Sequence, residues 1–312
     1  MTALTAQFHS ECYPSDPQRA LAFFRKAFTS HPASALPAAP ENGSLIGIVT
    51  PHIDFRVSLA AYAAAFQPLL GEPLADTYLI LGVGHRSRLE WNFDHRDYIT
   101  PLGRAACATD LVDALTAGTE RARHSLPEAH VGEHSIEFPL LWLQALHQLH
   151  PDAGENAPPV RFIPLLCGGM FKYVEGPTEW DDLPEFHRLS RALGTLFKKH
   201  PPGQNLRIIA SIDGCHLGSR FQHPFAVTKA LLKATAGWEH LLWAAAANGD
   251  AKGFLDWMRT EGNDRYFDGV GALALLLAAT GGKATIQRTY YEQWFTERDA
   301  SAVTFSSGRI LQ

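Results

Sequence analysis

Four short apolar runs, each followed by a stretch of helical periodicity, constrain this chain more than any other feature. Leu45-Ile46-Gly47-Ile48-Val49, Thr77-Tyr78-Leu79-Ile80-Leu81, Val160-Arg161-Phe162-Ile163-Pro164-Leu165-Leu166 and Leu206-Arg207-Ile208-Ile209-Ala210 are rich in β-branched residues and poor in polar ones. Strands buried on both faces read this way. The apolar spacing then becomes helical near 58–70, 109–117, 135–150, 183–199 and 221–234, and a βα alternation of this kind predicts a mainly parallel, helix-covered sheet. Farther along, helices are expected near 241–247, 251–260 and 269–279, with β-like runs at 284–294 and 302–306. At the other end Asp16 and Pro17 read as the N-cap and first residue of a helix running to about Ser30, and the Pro/Ala-rich stretch 31–42 as a connector. No repeat, low-complexity block or linker divides the sequence, so one α/β domain over 1–312 is the expectation.

Composition narrows the function classes. With 27 Lys+Arg against 32 Asp+Glu and a formal charge of −5, the chain lacks the basic excess that phosphate-backbone binding requires, so nucleic acid is excluded as a partner. Its four cysteines, Cys12, Cys107, Cys167 and Cys215, form no C-x-x-C pair, which argues against a thiolate zinc site or a disulfide framework. The opening residues carry neither a basic nor an apolar leader segment, and no apolar run reaches the roughly 18 residues of a membrane span. A cytoplasmic protein without membrane partners is expected.

The fifteen histidines fall where chemistry would need them. Three of the four runs end in Val49-Thr50-Pro51-His52, Leu81-Gly82-Val83-Gly84-His85 and Ala210-Ser211-Ile212-Asp213-Gly214-Cys215-His216. Residues just past the carboxyl ends of parallel strands line the ligand crevice of open α/β sheets. A lone histidine there is usually a hydrogen-bonded loop imidazole; three at equivalent positions point to a shared site. Two imidazoles and a carboxylate make the facial set that leaves positions open on non-haem iron. Asp54, Glu133, Glu137, Asp213 and Asp268 are all candidates for the carboxylate, and composition does not choose among them.

Rival motifs are weaker. His130-Val131-Gly132-Glu133-His134 fits the H-x-x-E-H signature of a zinc hydrolase, which needs both histidines one turn apart on a helix; Gly132 and a helix start near Ser135 weaken it. Gly82-Val83-Gly84-His85 lacks the third glycine of a dinucleotide fingerprint, and neither a G-x-S-x-G elbow nor a Walker loop is present.

In order along the chain, Tyr13-Pro14, Pro51-His52-Ile53-Asp54-Phe55, Leu81-Gly82-Val83-Gly84-His85, Thr100-Pro101-Leu102-Gly103, Glu133-His134-Ser135-Ile136-Glu137 and Ser211-Ile212-Asp213-Gly214-Cys215-His216-Leu217-Gly218 resemble motifs of the Memo family. Its bacterial and archaeal members are often called AmmeMemoRadiSam system protein B, and it is similar in fold to class III extradiol ring-cleaving dioxygenases. The resemblance implies a three-layer αβα sandwich around a mainly parallel or mixed central sheet. It also implies a mononuclear metal site whose family His, His and Cys ligands fall here on His52, His85 and one late position. At that position the family's C-G-x-x-P-I lines up without gaps on Asp268-Gly269-Val270-Gly271-Ala272-Leu273, so a carboxylate stands where a thiolate is usual. A hard oxygen donor shifts preference away from copper(I) and zinc toward iron(II) or manganese.

The resemblance thus implies that His52, His85 and Asp268 bind the metal. His216 is then an acid/base, Asp213 the residue that fixes its tautomer, and His134 a pocket residue. Asp268 has an alternative role, capping the helix that begins at Gly269. The expected activity is an iron-dependent, dioxygenase-like oxidoreductase on a small chelating or aromatic substrate. The first alternative is a non-catalytic peptide- or ligand-binding module using the same cleft, since a eukaryotic member is regarded as binding phosphotyrosine peptides; the second is the zinc hydrolase of His130, Glu133 and His134. A radical SAM protein is the partner that the family context suggests.

Overall fold

The computed structural model describes residues 2–32, 36–37, 43–120, 123–151, 153 and 159–312. In chain order its elements begin with β1 (Leu4–Thr5), α1 (Pro17–Ser30), β2 (Leu45–Thr50), α2 (Leu59–Phe66), β3 (Thr77–Val83), β4 (Trp91–Phe93), β5 (Tyr98–Thr100) and β6 (Gly103–Cys107). They continue with α3 (Thr109–Thr116), α4 (His134–Leu149), β7 (Arg161–Cys167), α5 (Phe171–Val174), α6 (Pro184–Lys199), β8 (Leu206–Ser211) and β9 (His216–Leu217). The last are α7 (Lys229–Ala247), α8 (Ala251–Glu261), α9 (Val270–Ala279), β10 (Thr285–Thr296) and β11 (Ser301–Leu311).

The four apolar runs become β2, β3, β7 and β8, which lie side by side in the order β7-β3-β8-β2 and are parallel throughout. They are buried along nearly their whole length, as helices on both faces require. One eleven-stranded sheet extends this center: β6, β5 and β1 continue beyond β7, while β11 adds antiparallel to β2 and β10 antiparallel to β11. α1, α2 and α4 pack together on one face, and α3, α6, α8 and α9 on the other with α5 and α7 beside them. This is the expected three-layer αβα sandwich around a mixed, centrally parallel sheet.

Local signals account for most boundaries. Asp16 accepts from Arg19 N at 2.9 Å ahead of Pro17, the N-cap and first-residue pair that sequence suggests. The two helices expected at 221–234 and 241–247 are one, α7, which starts later because Pro224 interrupts the segment and Thr228 caps the helix on Leu231 N at 3.1 Å. Gly237, at which the pattern weakens, has open space around its Cβ position, so the helix runs through it. Strands β1, β4, β5 and β6 are not anticipated, being two to five residues long, too short to show a period. Most of the connector expected at 31–42 lies outside the described residues.

No helix is long and apolar enough to cross a membrane among the described residues.

Candidate metal centre

The parallel strands β2, β3 and β8 all end on one edge of the sheet, and His52, His85 and His216 follow them there. His52 is 1% exposed. Its loop is fixed from below by Phe55, whose ring packs on Tyr62 at 4.7 Å and Phe138 at 4.5 Å, and by Tyr62 OH donating to Ile53 O at 2.6 Å. Asp213, also buried, accepts from the backbone N–H of both His52 (2.9 Å) and Ile53 (3.1 Å) through one oxygen. His52 Nδ1 lies 3.2 Å from Ser211 O. A carbonyl only accepts, so Nδ1 carries the proton and Nε2 is left as the ligating atom.

His85 is oriented in the same way by a carboxylate. Its Nδ1 meets Glu133 Oε1 at 2.9 Å. Glu133 is the N-cap of α4, accepting also from Ser135 N at 3.2 Å and Ser135 Oγ at 3.0 Å. α4 can come this close to β3 because residue 82 is glycine: a Cβ there would stand 2.7 Å from Ser135 Oγ. Ser135 Oγ in turn bridges Val83 N and O, each at 3.0 Å. Burial alone would raise the Glu133 carboxyl, but the hydrogen bond and charge of His85 outweigh it and hold it down at about 2.

His134, the first residue of α4, joins the two. Its ring stacks on His85 at 4.7 Å and meets His52 edge-on at 5.1 Å, with His52 and His85 also 5.1 Å apart. One ring nitrogen from each of His52, His85 and His134 lies within 4.8 Å of the others, so the three could hold a metal ion. Burial, then the neighboring charges of His52 and His85, push His134 down to about 3, so it is neutral and able to ligate at physiological pH.

Asp268 stands 3.2 Å from His52 Nε2 through Oδ2. The helix it precedes is capped at Gly269 with no side-chain cap bond, so the capping role does not describe it. Apart from this ion pair with each other, neither Asp268 nor His52 Nε2 has a hydrogen-bond partner among the described residues, and the three atoms are buried. A cation fits this donor set, because it could take the place of the His52 proton between the two groups and satisfy Asp268 Oδ1, a buried oxygen that is costly to leave open. Burial favors a protonated Asp268, but the charge of His52 overrides it and holds the carboxyl below its usual value. His52 shows the reciprocal effect: burial lowers it, yet Asp213 and Asp268 together raise it to about 9.

Asp268 is held in place by a turn that sequence reasoning misses. Asn263 donates from Nδ2 to Phe267 O at 3.0 Å and accepts from Phe267 N at 2.9 Å, closing residues 263–267 into a ring. Tyr266 adopts φ 48 inside it. The following helix seats against the end of β7 because Gly271 leaves room for Gly168 O, which a Cβ would meet at 2.1 Å. An Asn in the Gly262-Asn263-Asp264 run was the available signal. Phe267 is core and Tyr266 is 44% exposed.

His216 lines the same cleft, a hollow of about 750 Å³ walled by Phe8, Phe138, Phe221 and Trp294 and floored by His52, His134 and Asp213. Its Nδ1 lies 3.2 Å from both Gly214 O and Tyr266 O. Backbone carbonyls therefore set its tautomer and leave Nε2 as the basic atom. Asp213 is spent on the backbone of His52 and Ile53 instead, which corrects the expectation that it orients His216. Burial keeps the Asp213 carboxyl above its usual value, against the pull of His52.

The other candidates have structural work. Glu137, wholly buried, accepts from Gln7 N, Phe8 N, Tyr13 OH and Tyr98 OH at 2.8, 3.0, 2.5 and 3.1 Å, tying the opening segment over the site. Asp54 forms a fork with Arg56. The zinc-hydrolase motif fails on geometry: His130 lies in a 3-10 turn (Pro127–His130), Gly132 has φ 63, and α4 starts only at His134, so the two histidines do not share a helix face. His130 Nε2 lies 3.2 Å from Asn92 O, and burial pushes its pKa down to about 4. A slightly larger hollow of about 800 Å³ near His95 and Asp113 shares no lining residue with the cleft and contains the Arg104–Asp97 ion pair; size alone does not make it the site.

Fold and site together define a class: a three-layer α/β protein with a histidine cluster, one member buried and two reaching the surface, able to hold a metal at the carboxyl ends of its parallel strands. The family model described as Memo-like protein matches residues 6–308, and the chain belongs to the Memo family. A MEMO1 family protein of Aquifex aeolicus (strain VF5) is 26% identical over 216 residues, 69% of this chain and 49% of the relative. The match thus spans about half of that relative's length.

Proposed function

We propose that this Memo-family chain holds one non-haem iron(II) ion through His52, His85 and Asp268, with His134 as a further nitrogen donor, and acts as a dioxygenase-like oxidoreductase on a small chelating or aromatic substrate. The carrying observation is the set of buried atoms, His52 Nε2 and both Asp268 oxygens, that meet only each other, beside the ring nitrogens of His85 and His134. Mixed imidazole and carboxylate donors suit iron(II) or manganese better than copper(I). The ion would supply redox chemistry and a charge against which an ionized substrate oxygen can settle.

The chain's own residues would do the rest. Ser211 O and Glu133 keep His52 and His85 in the tautomers that present Nε2 inward. His216 Nε2, freed by the two carbonyls on Nδ1, takes a proton from a substrate hydroxyl and returns it to product. Phe8, Phe138 and Trp294 limit water in the cleft and offer apolar faces to a flat substrate. Metal analysis of protein purified without supplementation tests the reading. About one iron per chain is expected; zinc or copper in its place overturns the iron assignment, and metal-free protein that cannot be loaded with iron leaves only a ligand-binding module.

A further inference from the structure

On the far side of β7 a separate cavity of about 330 Å³ opens beside β4, α5 and the start of α6. It shares no lining residue with the metal cleft. Its walls are aromatic: Trp91, Tyr173 and Phe186 are all at most 4% exposed. The Trp91 and Phe186 rings stand 6.0 Å apart at 41°, and Trp180 closes on Phe186 at 5.3 Å and 66°. One wall already attracts a cation, since the Arg259 guanidinium lies 5.0 Å from the center of the Tyr173 ring.

Among these rings sits a carboxylate, Glu90. Its Oε1 accepts from the backbone N–H of Met170 at 2.6 Å, and Lys172 reaches it only through space. Burial pushes the Glu90 carboxyl above its usual value, against the Met170 hydrogen bond and the charge of Lys172. Met170 holds the left-handed φ of 55 while giving its N–H to Glu90, a conformation that costs a non-glycine residue about 1 kcal/mol or more. Asp182, Glu185 and Lys172 also line the cavity; Glu185 is paired with Arg188 at 3.1 Å, which leaves Asp182 and Glu90 as its carboxylates without an arginine partner among the described residues.

Such a cavity would repel an anion, and a neutral apolar guest would bury Glu90 further without a counter-charge. A metal ion would find too few oxygens. A soft, weakly hydrated cation satisfies both parts of the wall: ring faces attract it through their quadrupoles, and the carboxylate supplies the opposite charge. We propose that this cavity binds a small organic cation, an alkylated or quaternary ammonium, with Glu90 as its counter-charge and Trp91 and Phe186 as its walls. The proposal stands apart from the metal reading, because neither site uses a residue of the other.

Calorimetry on the full chain, treated with chelator and again after iron loading, tests it with choline and its uncharged isostere 3,3-dimethylbutan-1-ol. Choline is expected to bind one to one in both preparations, and the isostere at least about tenfold more weakly. Glu90→Gln, whose amide oxygen can still accept from Met170 N, should weaken choline by about tenfold or more and erase its advantage over the isostere. Absence of saturable choline binding, equal binding of the isostere, or choline affinity unchanged in Glu90→Gln overturns the proposal. The two-ligand comparison on the unmodified protein decides the matter even if the variant folds poorly.

Discussion

Replacing Asp268 by Asn separates a ligand from a bystander, because the side chain keeps its shape and loses its charge. In the metal-free protein the relevant partner is His52. A unit charge 3.2 Å away is worth about 5 kcal/mol at an effective dielectric near 20, and burial of the imidazolium takes part of that back. The net rise of His52 from 6.5 to about 9 corresponds to about 3 kcal/mol, shared with Asp213, whose Oδ2 is 3.8 Å from the same nitrogen. Because the folded pKa is raised, this stabilization is complete below about pH 6.5 and is lost as pH rises through about 9. Asp268→Asn should therefore cost the metal-free protein about 1–2 kcal/mol at pH 6, a few degrees in melting temperature, and little at pH 10. Iron(II) affinity, measured by chelator competition under anaerobic conditions, should fall by about 100-fold or more, beyond what disturbing a mere supporting partner does. Wild-type iron affinity in this variant would refute the assignment of Asp268 as a ligand. Loss of melting temperature equal at pH 6 and pH 10 would refute the electrostatic account of His52.

Other outcomes follow from the same geometry. Iron affinity should drop about tenfold per pH unit as pH falls from 9 toward 6.5, since His52 must give up a proton to ligate; a flat profile in chelator competition would contradict the raised pKa. His216→Ala should leave bound iron unchanged and slow oxygen uptake with a turned-over substrate by about 10²–10⁴-fold; loss of iron would make His216 a ligand. Asn263→Ala should lower stability in denaturant titration by about 2 kcal/mol, from two buried hydrogen bonds, and weaken iron binding as well, whereas unchanged iron affinity would mean that the turn does not position Asp268. Gly271→Ala should be more damaging than an ordinary helix substitution, because its Cβ would meet Gly168 O at 2.1 Å; a melting temperature equal to wild type would show that α9 can shift freely.

What the sequence made legible was whatever repeats a physical pattern over several residues. β2, β3, β7 and β8 announce themselves because burial on both faces forces continuous apolar runs, and His52, His85 and His216 because each follows such a run closely. Asp268 is reached only by alignment across a departure, and the buried pairing of its carboxylate with His52 is something no string of letters displays. Asp213 was assigned to the wrong imidazole for the same reason: three residues from His216 in sequence, it is hydrogen-bonded 161 positions away, at His52 N. The place of His134 in the histidine cluster depends on the approach of α4 to β3, which turns on the missing Cβ of Gly82. The short strands are too brief to show a period, and the start of α7 depends on Pro224 breaking the segment ahead of the Thr228 cap.

β11 is the last strand in chain order, yet it is inserted between β2 and β10 and pairs with β9, setting Val303 opposite His216. Its neighbor Thr304 takes Gly214 N on its carbonyl at 2.7 Å and Cys215 N on its hydroxyl at 2.7 Å. The loop that carries Asp213 and His216 thus lacks its backing until synthesis has passed residue 304, about 90 residues after the loop itself is made. Contacts of such long separation close slowly, so a nascent or partly folded chain would display the histidines of β2 and β3 without a finished cleft around them. Vectorial synthesis therefore makes the site a late product of folding, and any ion it takes would meet a finished cleft only after residue 304 has been added.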